Sequence, residues 1–371
     1  MFRKSVRAAC ALMLILAGAA CASAAATGQA SPVAAQAGEL LYVCNQNDAT
    51  VSVVDMATNR VIRTVDFQRL GFSANAKPHH VAVEPDGSFW YVTLIGENRV
   101  VKLDRTDRVV AQVAFETPGM LALHPGADAL YVARSMTAVN PPQRIGVIRR
   151  SDMTIEEVPV FFNRPHALAL EPRSGTVYTA SLATNQMAAV NPATEDVRLV
   201  DVAGPAHALM QFAISPDGRW LAISAELSHK VFIFDIADRM APKLVNEIDV
   251  GRQPFDPIFT NDGRWIYVGN KAANTITIID MQTRRVAKVL EGRGIAQPHG
   301  VAVSADGTRV YISNNNLSAV HDMSEHAGHA MPATAAGRGT VVVIDTRTQQ
   351  VVEVIEVGNN ASGIGTRAPR L

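Results

Sequence analysis

The sequence is poor in cysteine. Only three cysteines occur in 371 residues, and two of them, Cys10 and Cys21, lie in or beside an N-terminal apolar segment. Cys44 is therefore alone in the rest of the chain and cannot form an internal disulfide bond, so stability must come from packing. We expect Cys44 to be a small buried strand residue; a role as a metal ligand is the alternative.

Charge and several enzyme motifs are also scarce. Charged residues make up 18% of the chain, with 34 basic residues balanced by 34 acidic ones and no basic block. This balance disfavours nucleic acid or an anionic membrane surface as a partner. The chain lacks Gly-x-Ser-x-Gly, a phosphate-binding loop and the haem motif Cys-x-x-Cys-His. Common hydrolase, nucleotide-binding and c-type cytochrome functions are therefore disfavoured.

The N-terminus has the pattern of an export signal. Three basic residues precede an apolar stretch over residues 8–20, which is too short to span a bilayer. The small residues around Ser23 form a cleavage site, which predicts a signal peptide over residues 1–24 and a disordered leader over residues 25–38. The protein is thus expected in the periplasm or secreted. Cys21 leaves a lipid anchor as the alternative.

One strand-like phrase recurs seven times and in most copies ends in aspartate. The seven copies begin at Thr50, Arg99, Arg144, Gln186, Lys230, Thr275 and Thr340. An aromatic strand precedes each copy, usually starting at a tyrosine, and a polar turn with a second β-rich run follows it. Turns such as Pro85-Asp86-Gly87 come before most aromatic strands and supply a tight hairpin. Each unit is thus four short antiparallel strands, at the roughly 40–50-residue spacing of a propeller blade.

The first unit lacks its innermost strand. It begins at Leu40, with no apolar run or turn before it, whereas the run Ala361–Gly365 stands unused at the end of the chain. Pairing the two ends in one blade removes an open sheet edge. The sequence therefore predicts an all-β, seven-bladed propeller of four-stranded antiparallel blades over residues 39–371, closed by the C-terminal strand joining blade 1.

The repeat resembles a known family. Tyr91-Val92-Thr93, the Pro-Asp-Gly turn and the Val-x-Val-Ile-Asp strand are similar to those of the bacterial YVTN-repeat β-propellers, over about residues 40–366. The resemblance implies the fold. It leaves the function open, because such propellers serve as ligand binders, metal-handling proteins, lyases and subunits of redox enzymes.

Histidines recur where the chain enters a blade. Alignment on the turns puts a Pro-His pair at equivalent positions of the second, fourth and seventh blades, and the sixth blade has Phe255-Asp256 there. The fifth blade has His207 near this position, in a stretch that carries extra residues. The candidate metal or ligand-binding residues are His79, His166, His299, His207 and Asp256. The alternative is a set of structural histidines bonded to neighbouring carbonyls, although Gly119 and Ser362 indicate that the fold does not require histidine there.

An insertion over residues 316–339 of the seventh blade carries a second set of candidates. These are His321, Met323, His326, His329 and Met331. Imidazole and thioether ligands together suit copper, and histidine with a carboxylate also suits zinc. The insertion joins second and third strands, so we expect it on the same face as the Pro-His pairs. A solvated low-complexity loop is the alternative.

These patterns favour binding over catalysis. The leading hypothesis is an exported binding protein that holds copper or zinc at a histidine-lined channel mouth and could act as a metal carrier. The chain resembles exported zinc-chaperone propellers. A small polar ligand or a periplasmic protein partner is also compatible. One alternative is a lyase-like, lactonase-like or redox-accessory enzyme, in which Glu226 pairs with His207 or His299 as acid and base. Another is an interaction scaffold without a metal site.

Overall fold

The computed structural model describes residues 38–292, 294–317 and 337–367. The predicted signal peptide, nearly all of the leader and the histidines and methionines of the insertion lie outside these residues. No helix in the described ranges is long and apolar enough to cross a membrane.

Seven four-stranded antiparallel sheets make up the described chain. Blade 1 contains β1 (Leu40–Asn45), β2 (Thr50–Asp55), β3 (Arg60–Asp66) and the last strand, β28 (Ala361–Gly365). Blade 2 contains β4 (Pro78–Val83), β5 (Phe89–Leu94), β6 (Arg99–Asp104) and β7 (Val109–Ala114); blade 3 contains β8 (Pro118–Leu123), β9 (Leu130–Arg134), β10 (Arg144–Ile148) and β11 (Ile155–Pro159). Blade 4 contains β12 (Pro165–Glu171), β13 (Thr176–Ser181), β14 (Gln186–Asn191) and β15 (Asp196–Asp201); blade 5 contains β16 (Leu209–Ile214), β17 (Trp220–Ala225), β18 (Lys230–Asp235) and β19 (Lys243–Asp249). Blade 6 contains β20 (Pro254–Phe259), β21 (Trp265–Asn270), β22 (Thr275–Asp280) and β23 (Arg285–Glu291); blade 7 contains β24 (Pro298–Val303), β25 (Arg309–Asn314), β26 (Thr340–Asp345) and β27 (Gln350–Glu356). Short 3₁₀ helices at Gln46–Asp48 and Ile95–Glu97 follow β1 and β5.

The core lies between neighbouring blades. The second and third strands of a blade are buried on both faces, as in β22, whose four central residues are all buried. The outermost strands are largely exposed, as in β23. Continuous apolar runs such as Val-Val-Val-Ile of β26 therefore mark the middle strands. Tyr178, Phe212 and Phe232 pack together between blades 4 and 5 in this way.

The ring closes as the sequence predicts. The innermost strands pack one against the next from β4 through β24, and β28 lies between β24 and β4. β28 pairs antiparallel with β1, so that Tyr42 faces Gly365 and Asn45 faces Ala361. Gly363 allows a close approach to blade 2, because a Cβ atom there would lie 2.1 Å from the His79 carbonyl oxygen.

The threonine of the Tyr-Val-Thr phrase joins adjacent blades. A bulge in β4 frees the backbone N–H of His80, which donates to Thr93 Oγ1 at 3.0 Å. The Thr93 hydroxyl in turn donates to the Gly119 carbonyl of blade 3 at 2.9 Å. Ser313 makes the same bridge from Gly300 to Ser362. In both places the hydroxyl group accepts the backbone N–H that the bulge frees and donates to a carbonyl of the next blade, so it links neighbouring innermost strands.

A left-handed residue precedes the innermost strand of every blade. The seven residues have φ between 46° and 56° and are Lys77, Thr117, Arg164, Ala208, Gln253, Gln297 and Asn360. Each carbonyl accepts a hydrogen bond from the first residue after the second strand of its blade, as in Lys271 N–H to Gln253 O at 2.7 Å. These turns bring the starts of all innermost strands to one face of the ring, which we call the mouth face.

Candidate functional site

The strand register identifies equivalent residues on the mouth face. Pro78 pairs with Leu94, Pro165 with Ser181 and Pro298 with Asn314, in each case immediately before a bulge. The residues that follow these prolines, His79, His166 and His299, therefore occupy one place in three blades. In the other four blades this place is held by Ser362, Gly119, Met210 and Phe255.

Two of these histidines meet at the channel mouth. The ring centroids of His79 and His299 lie 6.1 Å apart, with the planes nearly perpendicular at 84°. The Phe255 ring packs on the other side of His299, with centroids 4.8 Å apart. His166 and the neighbouring His80 are close enough to influence the ionisation of both rings. We call His79, His80, His166 and His299 the histidine cluster.

Two buried nitrogen atoms of the cluster lack ordinary hydrogen bonds. His79 and His299 are 4% and 8% exposed, and within the described residues neither Nδ1 atom forms a hydrogen bond of ordinary geometry. The Gly119 backbone is nevertheless close enough to the His79 ring to favour its charged form, so His299 has the more clearly unpartnered Nδ1 atom. His166 differs, because its Nδ1 lies 2.9 Å from the Arg134 carbonyl oxygen. Unpaired buried polar atoms are rare and costly in folded proteins. Within the histidine cluster, these two Nδ1 atoms are therefore available to a ligand.

Burial keeps the cluster uncharged at neutral pH. Loss of solvation lowers the pKa of His79 to about 3 and that of His166 to about 4, and the other charges of the cluster add to the shift at His79. The pKa of His80 is lowered to about 4 for the same reason. Burial, followed by the charge of Lys271, lowers the pKa of His299 well below its usual value. Neutral imidazole is the form that binds metal ions.

Asp256 lies one position further along its strand than the histidines. Phe255, not Asp256, is the equivalent of His79, and Asp256 corresponds in register to His80. It is 8% exposed, and burial alone raises the pKa of its carboxyl to about 7. Asp256 is thus a buried acid near half-ionisation at neutral pH on the innermost strand of blade 6.

His207 does not join the cluster. It lies three residues before Met210, the blade-5 equivalent of His79, so its suggested equivalence is wrong. Its Nδ1 contacts Ser228 Oγ at 2.8 Å, its Nε2 contacts the Ala203 carbonyl at 3.0 Å, and its ring packs on Phe232. The extra residues before β16 explain the misalignment. Both nitrogens are occupied, so His207 is a structural histidine.

Further polar side chains lie at or just after the ends of the second strands, on the mouth face, and some of them are already hydrogen bonded. Asn45 is fully buried and hydrogen bonded to Thr50 and Ser52, and Arg134 is bonded to Glu116 and Glu157. These two side chains are therefore occupied. Lys271 is available: its Nζ lies 4.7 Å from the Phe255 ring centroid, beside His299. The sequence did not predict that Phe255 contacts both Lys271 and His299. Its position directly after Pro254, where other blades have the histidine of a Pro-His pair, was the signal.

The described residues contain no group of three or more His, Cys, Asp or Glu side chains placed to hold a metal ion. The base of the insertion nevertheless lies on the mouth face. Asn315 N–H donates to the Gln297 carbonyl at 3.0 Å, directly before Pro298 and His299. Cys44 is fully buried in the apolar core between blades 1 and 2, and burial strongly raises the pKa of its thiol, in keeping with a strand residue.

Comparison with known proteins identifies the architecture. Residues 2–370 match the family described as YNCE-like β-propellers. No curated protein matches the sequence. A functionally unknown protein from Desulfotomaculum acetoxidans DSM 771 has a TM-score of 0.66 at 15% identity, covering 90% of this chain and 100% of that one.

Two further structures share the fold. Dihydro-heme d1 dehydrogenase NirN in complex with DHE has a TM-score of 0.58 at 17% identity, covering 88% of this chain and 74% of that one. Kuenenia stuttgartiensis hydrazine synthase has a TM-score of 0.61 at 19% identity, covering 75% of this chain and 90% of that one. At these identities the likeness concerns the fold alone.

Proposed function

The chain belongs to the YNCE-like β-propeller family, and we propose that it is an exported binding protein that holds copper or zinc at its histidine-lined mouth. One observation carries the proposal: two neutral, buried imidazoles meet edge to face on the mouth face, and their Nδ1 atoms lack hydrogen bonds of ordinary geometry. Export rests on the basic and apolar pattern of residues 1–24.

The spacing of the two rings suits a shared ion. Metal–nitrogen bonds of about 2.0–2.1 Å to two imidazoles place the ring centroids roughly 5–6 Å apart, close to the observed 6.1 Å. Late transition metals favour imidazole nitrogen. His79 and His299 are therefore the proposed protein ligands. His166 is close enough to influence the ionisation of both rings and is the proposed third ligand.

The donor set leaves coordination positions open. Two or three histidines satisfy only part of the coordination sphere of copper or zinc, which is typical of sites that exchange their ion or bind a further ligand. The histidines and methionines of the insertion are candidates for the remaining positions. Such a site is better suited to uptake and release than to permanent structural binding.

The test is a calorimetric titration of metal-free protein with Cu²⁺ and Zn²⁺. We expect one ion per chain, with affinity weakened roughly 100-fold or more in His79→Ala/His299→Ala, because two metal–nitrogen bonds are lost. The matched control is His124→Asn, since His124 accepts backbone N–H groups in the turn between β8 and β9 on the opposite face. Equal affinity of the double variant and the wild type would contradict the proposal and leave an interaction scaffold.

A further inference from the structure

We propose that the mouth also contains a subsite for a small zwitterion, formed by Lys271 and Glu226 beside the histidine cluster. The ligand class is a molecule with both a carboxylate and an ammonium group, such as a free amino acid. This subsite does not depend on a bound metal ion.

Lys271 and Glu226 occupy equivalent places in adjacent blades. Glu226 is the first residue after β17, and its N–H donates to the Ala208 carbonyl at 3.0 Å. Lys271 is the first residue after β21, and its N–H donates to the Gln253 carbonyl at 2.7 Å. The innermost strands of these two blades, β16 and β20, pack against each other. The two charged side chains therefore stand side by side at the mouth.

The two charges do not pair directly. Among the described residues, neither the Lys271 ammonium nor the Glu226 carboxylate forms a hydrogen bond or an ion pair. They interact only at longer range, since each acts on the pKa of the other. An ammonium and a carboxylate that remain apart leave hydrogen-bonding capacity for a ligand placed between them.

Both groups are partly buried. Burial lowers the pKa of Lys271 and raises that of Glu226. The Lys271 ammonium lies 4.7 Å from the centroid of the Phe255 ring, and the same ring contacts His299. Partial desolvation without a partner is unfavourable for a charged group and strengthens its interaction with any ligand that supplies one. Because Phe255 contacts both Lys271 and His299, the ammonium lies beside the histidine cluster.

The pair selects for a dipolar ligand. A simple anion would be attracted by Lys271 and repelled by Glu226. A simple cation would be attracted by Glu226 and repelled by Lys271. A zwitterion places its carboxylate at Lys271 and its ammonium at Glu226, so both side chains gain a charge-assisted partner with no change in net charge. Arg164 and His229 also lower the pKa of Glu226, but neither forms an ion pair with it among the described residues.

The test measures binding of glycine, β-alanine and γ-aminobutyrate to metal-free full-length protein by calorimetry, with acetate and methylammonium as single-charge probes. We expect at least one zwitterion to bind at least tenfold more tightly than either single-charge probe. Lys271→Met and Glu226→Gln should each weaken it at least tenfold. The matched control is Lys77→Gln, because Lys77 is an exposed lysine of the same face and glutamine occupies its place in blades 6 and 7.

A further variant distinguishes loss of the subsite from loss of folding. The charge swap Glu226→Lys/Lys271→Glu retains one ammonium and one carboxylate and should recover binding with the ligand reversed. Absence of zwitterion binding, equal binding of the single-charge probes, or unchanged binding in both single variants would each overturn the proposal. Because the protein is metal-free throughout, these results are independent of the titrations with copper and zinc.

Discussion

Burial determines the chemistry of individual residues at the mouth. His79 and His299 are imidazoles that stay neutral far into the acid range, whereas Asp256 retains its proton up to about neutral pH. The same loss of solvation drives both shifts, since it disfavours whichever form is charged. The Pro-His repeats in the sequence predict that His79 and His299 come together on the mouth face. The sequence does not predict which ring nitrogen is free, because that depends on a carbonyl of another blade, as with His166 and Arg134.

Asp256 gives the protein a testable pH dependence. Its carboxyl has a pKa of about 7 when folded and near 3.8 when unfolded, so the unfolded state loses its proton first as the pH rises. The free energy of unfolding should therefore fall between about pH 4 and pH 7, at up to about 1.4 kcal/mol per pH unit. Asp256→Asn should remove this contribution and be the more stable protein at pH 8.

Urea unfolding of both proteins from pH 5 to pH 8 checks this. The difference between the two proteins is the informative quantity, because the lowered pKa values of the buried histidines destabilise both as the pH falls below about 6.5. If the two stability curves run parallel over this range, Asp256 does not titrate as described.

At the scale of the element, hydroxyl groups complete the joints between blades. The sequence predicts the strands well, because each blade repeats the same apolar phrase, aromatic strand and turn. It is less informative about the left-handed turns before the innermost strands. Arg164 and Ala208 adopt φ near 50° without the glycine or asparagine that usually signals it. The extra residues before β16 add to this difficulty, so the register of blade 5, and with it the position of His207, could not be predicted from the sequence.

Removal of one bridging hydroxyl should weaken the joint between blades 2 and 3. Thr93→Val keeps the shape but leaves the His80 N–H and the Gly119 carbonyl without their partner. We expect a loss of about 1–3 kcal/mol in the free energy of unfolding, measured by urea denaturation. Thr93→Ser retains the hydroxyl and is the control. A valine variant as stable as the serine variant would show that the bridge contributes nothing.

At the scale of the whole molecule, stability depends on closing the ring. The resemblance to YVTN-repeat propellers and the seven blades predicted from the repeat are confirmed, as is the C-terminal strand in blade 1. This success has a physical cause: a missing innermost strand at one end and a spare strand at the other leave few ways to satisfy both edges. Ala361 and Ile364 lie in the same apolar cluster as Leu41 and Val43.

Truncation after Asn360 tests this closure. The shortened chain loses β28, which exposes the edge of β1 and the apolar cluster of blade 1. We expect it to aggregate or to unfold at clearly lower urea concentration, as measured by size-exclusion chromatography and denaturation. A chain ending at Arg367 keeps β28 and serves as the control. A monomeric, equally stable chain ending at residue 360 would contradict closure as a source of stability.

The proposed function depends on binding of a transition metal by the mouth histidines. Its most direct test is the metal content, by mass spectrometry, of protein exported in its native form, for the wild type and for His79→Ala/His166→Ala/His299→Ala. We predict stoichiometric copper or zinc in the wild type and its loss from the triple variant. A wild-type protein that carries neither metal and takes up neither on titration would contradict the claim.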